Sequence, residues 1–232
     1  MLTVVLLPGM DGTGTLFEPF VAALGTEFRI KVVSYPTSEP LGYTQLESLV
    51  RAALPTHEPY VILGESFSGP IAVALAAAGA PQLKGVVLCC SFIRNPRPIF
   101  AMLKPMIGFL PIPHVPVKIL GYFLLGRYAT TALRQALARA VTPITAAVRR
   151  ARIRDVLTVY VSAQLTTVHV PMLYLQATHD RVVPPSAAKL ITHLSPHVKI
   201  IRVEAPHFLL QTKPSEAAQI VSDFVRKVGE TR

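Results

Sequence analysis

Tyr60-Val61-Ile62-Leu63-Gly64-Glu65-Ser66-Phe67-Ser68-Gly69 decides the fold. The first four residues form an apolar run of the length expected for a strand buried on both faces. From Phe67 to Ala78 the chain is again almost wholly apolar and long enough for a helix. Between the two sits Ser66. A strand that turns sharply into a helix around a serine is the setting of a nucleophile elbow, in which crowding demands small residues two places either side. Gly64 meets that demand fully. Ser68 is larger than the usual glycine, although Gly69 follows. A Gly/Ser-rich turn without chemistry is the plainer alternative, so the partners of Ser66 decide between the two.

Outward from this stretch, short apolar runs alternate with helix-like segments. Strands are expected at Thr3–Leu7, Phe28–Ser34, Tyr60–Leu63, Val86–Cys90, within Pro171–Gln176 and at Val198–Val203. Helices are expected at Leu16–Leu24, Tyr43–Leu54, Phe67–Ala78, Ser186–Leu194 and Pro214–Val228. Apolar strands separated by helices predict an α/β fold: a mostly parallel sheet covered on both faces. The alternation stops between Phe92 and His169. The first half of that segment is rich in proline and large apolar residues. Its second half, about Thr130–Leu157, is Ala- and Arg-rich and reads as helical, with Pro143 near a helix start. The predicted organisation is therefore a core over residues 1–91 and 170–232, with residues 92–169 inserted as a basic helical lid.

At 51% hydrophobic and 16% charged residues over 232 positions, the composition excludes a disordered chain. The two cysteines, Cys89 and Cys90, are adjacent and suit small buried residues at a strand end better than a disulfide. Met1–Leu7 lacks the basic start of a secretory leader and reads as a strand, so a cytoplasmic location is expected. The uncharged stretch from Ser66 to Leu83 is interrupted by Gly69, Pro70, Gly79 and Pro81, which suits a buried helix better than a membrane span.

A serine hydroxyl needs a base to take its proton, a group to orient that base, and donors for the oxyanion. Asp180, in Thr178-His179-Asp180-Arg181-Val182-Val183-Pro184-Pro185, follows the fifth predicted strand. Alone it would read as a helix cap or turn residue. His207, in Ala205-Pro206-His207-Phe208, follows the sixth. Of the seven histidines it alone follows a late strand, with an aspartate-bearing turn after the strand before it. Ser66, Asp180 and His207 thus stand in the order Ser…Asp…His and form the predicted catalytic triad. The oxyanion donors are expected to be the backbone N–H groups of Phe67 and of Met10, the latter in the loop Pro8-Gly9-Met10-Asp11-Gly12-Thr13-Gly14. A phosphate-binding loop is excluded there: no Gly-Lys-Ser/Thr follows, and the Gly-x-Gly-x-x-Gly spacing is absent. No cofactor and no metal are called for. Serine at the elbow argues against the aspartate-based chemistry of epoxide hydrolases and haloalkane dehalogenases.

The motifs Leu7-Pro8-Gly9-Met10-Asp11-Gly12, Gly64-Glu65-Ser66-Phe67-Ser68-Gly69, Asp180-Arg181-Val182-Val183-Pro184 and Pro206-His207-Phe208 resemble those of the α/β-hydrolase superfamily of serine esterases. In particular the chain is similar to small bacterial carboxylesterases of the pimeloyl-acyl-carrier-protein methyl esterase type. The usual His-Gly is replaced here by Pro8-Gly9. The resemblance spans nearly the whole core, while the lid matches only in position and helical character. It implies an α/β-hydrolase fold with a reduced sheet of about six strands and a lid over Ser66. It also implies a carboxylesterase for short- to medium-chain acyl groups. Acyl transfer and thioester cleavage use the same triad, and a non-catalytic binding module remains the alternative outside enzymology.

The lid holds eleven lysines and arginines against one acid, Asp155, so the chain's net charge of +10 sits wholly within it. Exposed helix arginines are often solvated charge and nothing more. The stronger idea is steering of an anionic partner: an acidic acyl carrier protein, as the resemblance suggests, or an anionic lipid surface. No nucleic-acid-binding motif accompanies the charge. Phe92, at a strand end, and Met106, Phe109 and Phe123 in the lid are pocket candidates; packing of the lid onto the core explains the lid residues equally well.

Overall fold

The computed structural model describes residues 1–99 and 115–230. Six strands, β1 (Thr3–Leu7), β2 (Arg29–Val32), β3 (Tyr60–Glu65), β4 (Leu83–Cys89), β5 (Met172–Ala177) and β6 (Lys199–Val203), form one sheet in the order β2-β1-β3-β4-β5-β6. Every neighbouring pair is parallel. The expected α/β-hydrolase architecture, with about six strands and helices on both faces, is the one observed.

Strand alternation sorts the core into two layers. Val5, Leu7, Tyr60, Ile62, Val86, Leu88, Met172 and Tyr174 point to one face. There they meet α2 (Tyr43–Ala53), α3 (Gly69–Ala77) and α8 (Pro185–Leu194). Val4, Leu6, Val61, Leu63, Val87, Cys89, Leu173 and Leu175 point to the other. They are covered by α1 (Glu18–Leu24), the short α9 (Leu209–Thr212) and α10 (Pro214–Glu230). Each such aliphatic side chain removed from water stabilises the fold by about 1.5–3 kcal/mol. The edge strands carry Arg29 and Lys31 on β2 and Lys199 and Arg202 on β6, charges that discourage edge-to-edge association.

Between β4 and β5 lies the inserted helical region: α4 (Val117–Leu124), α5 (Thr131–Val141), α6 (Ala146–Thr158) and α7 (Ser162–Thr166). The stretch expected to be helical over Thr130–Leu157 is two helices, because Pro143 lies in the break between α5 and α6 and both Thr130 and Thr145 cap a new start with their hydroxyls. The region is tied to the core through backbone groups. Phe208 N–H donates to Leu124 O at 3.0 Å and Thr145 N–H to Thr37 O at 2.9 Å. Among the described residues no helix is long and apolar enough to cross a membrane.

The strand order places the site. From β1 the chain steps to β2 on one side, then returns to β3 on the other. At such a switch point the loops beyond the carboxyl ends of β1 and β3 diverge and leave a crevice. Pro8–Gly14 leaves β1 there, and Ser66 leaves β3.

Candidate active site

Ser66 sits in the left-handed region at φ 47°, as the first residue of a single 3-10 turn (Ser66–Ser68) that joins β3 to α3. The strain is tolerated because the surroundings leave no alternative. A Cβ on Gly64 would lie 2.8 Å from Ser68 O and 3.1 Å from Gly69 Cα, so the turn closes only over glycine. Ser68 fits because its hydroxyl is used: it donates to Pro8 O and accepts from Tyr35 Oη at 2.7 Å. The elbow is thereby stitched to the loop after β1. Ser91 Oγ donates to Ser66 O at 2.6 Å and secures the turn from β4.

The three residues singled out from the sequence are brought together. His207 Nε2 lies 2.9 Å from Ser66 Oγ, and His207 Nδ1 lies 2.8 Å from Asp180 Oδ2. A carboxylate only accepts, so Nδ1–H donates to Asp180 and Nε2 is left to accept from the serine hydroxyl. Asp180 also serves its own turn, Oδ1 accepting from Val182 N–H at 2.8 Å and Val183 N–H at 2.9 Å. The turn role and the imidazole role fall on different oxygens of one side chain. His207 is 4% exposed. Burial disfavours its imidazolium, but the charge and hydrogen bond of Asp180, with a smaller contribution from Glu65, outweigh that and hold its pKa above the ordinary 6.5.

Phe67 follows Ser66 in the elbow, and Met10 lies in the loop after β1. Met10 is a central residue of a turn closed by Gly12 N–H donating to Gly9 O at 3.1 Å. Phe67 is buried; the Tyr43 ring stacks on it with centroids 4.6 Å apart, and Tyr43 Oη donates to Phe67 O at 2.9 Å. Phe92 is buried against Val159 and Val183. Phe123 on α4 is 46% exposed. Met106 and Phe109 lie outside the described residues.

Two buried charges near Ser66 escaped the sequence reading. Glu65, adjacent to the serine, is held at about pH 7, chiefly because burial disfavours its charged form; Gln211 Nε2, donating at 2.9 Å, offsets part of this. Arg152 on α6, counted above with the solvated lid arginines, is 1% exposed and lies against the β1 loop. Cys90, Asp180 and His207 each bring one potential metal ligand atom within 4.8 Å of the others. The Asp180 and His207 atoms are already bonded to each other. Although the bond to Cys89 pulls the Cys90 thiol down, burial and nearby carboxylates hold it above its ordinary value. The hydrogen bond between the imidazole and the carboxylate already uses two of these three donors, so the set suits a hydrogen-bonded dyad.

Comparison with known proteins agrees with this architecture. A family model described as "Alpha/beta hydrolase family" matches residues 4–220. A thermophilic esterase from Thermogutta terrifontis, solved with malate bound, superposes with a TM-score of 0.84 at 17% identity, over 98% of this chain and 90% of its own. A carboxylesterase structure from Nitrososphaera gargenis gives 0.83 at 14% identity, over 100% and 92%. At these identities the likeness is one of fold. A stretch of 112 residues is 30% identical to phytyl ester synthase 1, chloroplastic, of Arabidopsis thaliana, covering 44% of this chain and only 16% of that protein.

Proposed function

The chain belongs to the alpha/beta hydrolase family, and from that premise we propose that it is a serine carboxylesterase with Ser66, His207 and Asp180 as its triad. The observation that carries this reading is the continuous line from Ser66 Oγ to His207 Nε2 at 2.9 Å and from His207 Nδ1 to Asp180 Oδ2 at 2.8 Å. His207 takes the hydroxyl proton as Ser66 Oγ attacks the ester carbonyl, and Asp180 stabilises the imidazolium that forms. The N–H groups of Met10 and Phe67 receive the oxyanion. The imidazolium then gives its proton to the departing alcohol, leaving an acyl-Ser66 ester. Water, deprotonated by His207, releases the acid and restores the serine. No step calls for a cofactor.

The substrate is an ester of a short- to medium-chain acid. A panel of p-nitrophenyl esters graded by acyl length tests this, with turnover in wild type and none in Ser66→Ala; turnover retained in Ser66→Ala refutes it. A second reading is acyl transfer to an alcohol on the same triad. The matched stretch of a protein named as an ester synthase favours it. Ester product formed in the same panel with added alcohols would distinguish transfer from hydrolysis. An anionic bearer of the acyl group, a carrier protein or a lipid surface, would meet the exposed Arg127, Arg134, Arg139 and Arg154 of the inserted region.

A further inference from the structure

We propose that Arg152 is a positioning residue for the oxyanion loop, so that the inserted helical region sets the geometry of the oxyanion site; this rests on the triad reading above. A guanidinium buried to 1% exposure is tolerable only if its N–H groups find acceptors. Here both Nη atoms find backbone carbonyls, while the buried Nε has no partner, so the two Nη groups alone hold the guanidinium in place. Arg152 Nη1 donates to Met10 O at 2.8 Å and to Asp11 O at 2.9 Å, and Nη2 donates to Pro36 O at 2.9 Å. Met10 and Asp11 are the two central residues of the Gly9–Gly12 turn, so one nitrogen fixes both of its inner carbonyls.

The rest of the loop is pinned in the same manner. Pro8 O accepts from Ser68 Oγ, Gly9 O from Gly12 N–H, and Gly12 O from Tyr35 N–H. The peptide that carries Met10 N–H is held by its own Gly9 carbonyl, and the next peptide by Arg152. Without Arg152 the second plane is free to rotate about the Met10 Cα–C bond, which carries Gly12 N–H away from Gly9 O and so releases the peptide that holds the donor. Gly12 is matched to this contact. Its φ is 74°, and a Cβ there would lie 2.7 Å from both Nη atoms.

The same helix reaches the other donor. Asp155, three residues on and so on the same face of α6, accepts from Tyr43 N–H at the start of α2. Tyr43 in turn stacks on Phe67 and donates to its carbonyl. One turn of α6 therefore braces the Met10 side directly and the Phe67 side through Tyr43. Preorganised donors act only while their direction is fixed, which makes this spacing a kinetic property rather than a packing detail.

The test uses the full chain with Arg152→Lys, Arg152→Met and Arg152→Ala, folding being checked by circular dichroism and thermal unfolding. In folded variants kcat for a p-nitrophenyl ester should fall on the order of 100-fold, the loss typical of a displaced oxyanion donor. KM should stay within about threefold, as expected when an interaction made only in the transition state is removed. Affinity for a trifluoromethyl ketone, which forms a tetrahedral adduct, should fall in parallel with kcat. Guanidinium at millimolar concentration should restore part of the activity of Arg152→Ala and none of Ser66→Ala. If the neutral variants fail to fold, Arg152→Lys, which keeps the charge but not the forked donors, carries the test. Folded variants with wild-type kcat and ketone affinity overturn the proposal. Failure of the wild-type chain itself to hydrolyse esters would instead overturn the triad reading.

Discussion

Replacing Glu65 with glutamine should flatten the pH dependence of stability between about pH 4.5 and about pH 7. Glu65 ends β3 beside the nucleophile candidate, 4% exposed, and burial holds its pKa near 7 instead of the ordinary 4.5. Between those values the folded chain keeps a proton that the unfolded chain has released, so stability falls as pH rises and the loss is complete above the folded value. At about 1.4 kcal/mol per pH unit, the displacement amounts to about 3 kcal/mol. The glutamine carries a pH-independent penalty of about 1–2 kcal/mol, because its amide faces the Gly9 N–H that the carboxylate accepts. His207 adds a slope of the same sign, since its raised pKa gives stability below 6.5 that is lost as pH rises through the folded value; loss of the Glu65 charge lessens this slope in the variant and flattens its curve further. Urea unfolding at about pH 5 and about pH 8 should show wild type losing about 2.5 kcal/mol relative to Glu65→Gln, since the unfolded carboxyl is already mostly ionised at pH 5. Activity offers a second reading. Glu65's charge helps to raise His207, so the acid limb of kcat/KM should move to lower pH in the variant. Parallel stability curves and coincident pH profiles would refute the placement of a titrating carboxyl beneath the elbow.

Asp180→Asn should leave the fold intact, because the amide oxygen can still accept from Val182 and Val183 N–H. It should lower kcat/KM by about 1,000- to 10,000-fold by favouring the wrong imidazole tautomer, as steady-state kinetics would record. Tyr43→Phe keeps the stack on Phe67 and removes one hydrogen bond to its carbonyl. A bond worth about 1 kcal/mol predicts about a fivefold fall in kcat with little change in KM. Gly64→Ala forces a Cβ to 2.8 Å from Ser68 O, and urea unfolding should report a loss of about 1–3 kcal/mol, with a larger proportional loss of activity as Ser66 shifts.

The architecture was legible because the local signals agree with the tertiary ones. Strands buried on both faces are apolar throughout, as at Thr3–Leu7 and Tyr60–Leu63, and the Met10 loop and Ser66 sit just past those two runs. Strand β4 was placed too late, at Val86 instead of Leu83, because Lys84 and Gly85 interrupt its apolar pattern. Ser68 looked irregular since its hydroxyl's acceptor, Pro8 O, lies 60 residues away. Arg152 was hidden for the same reason, its acceptors lying 116 to 142 residues away. A signal was present, however: Val148, Ala151 and Arg152 share the i, i+3, i+4 stripe that α6 buries, so this arginine fell on the apolar face. Glu65 could be found in a similar way, as the one charge continuing an otherwise apolar strand into the elbow.

The proposed chemistry stands or falls on Ser66 as the nucleophile. The most direct measurement is mass spectrometry of peptides from the protein treated with a fluorophosphonate, in parallel with ester turnover. One adduct is expected, on the peptide containing Ser66, absent in Ser66→Ala and formed far more slowly in His207→Ala. An active enzyme whose adduct lies on another residue, or which hydrolyses esters while Ser66 stays unmodified, would contradict it.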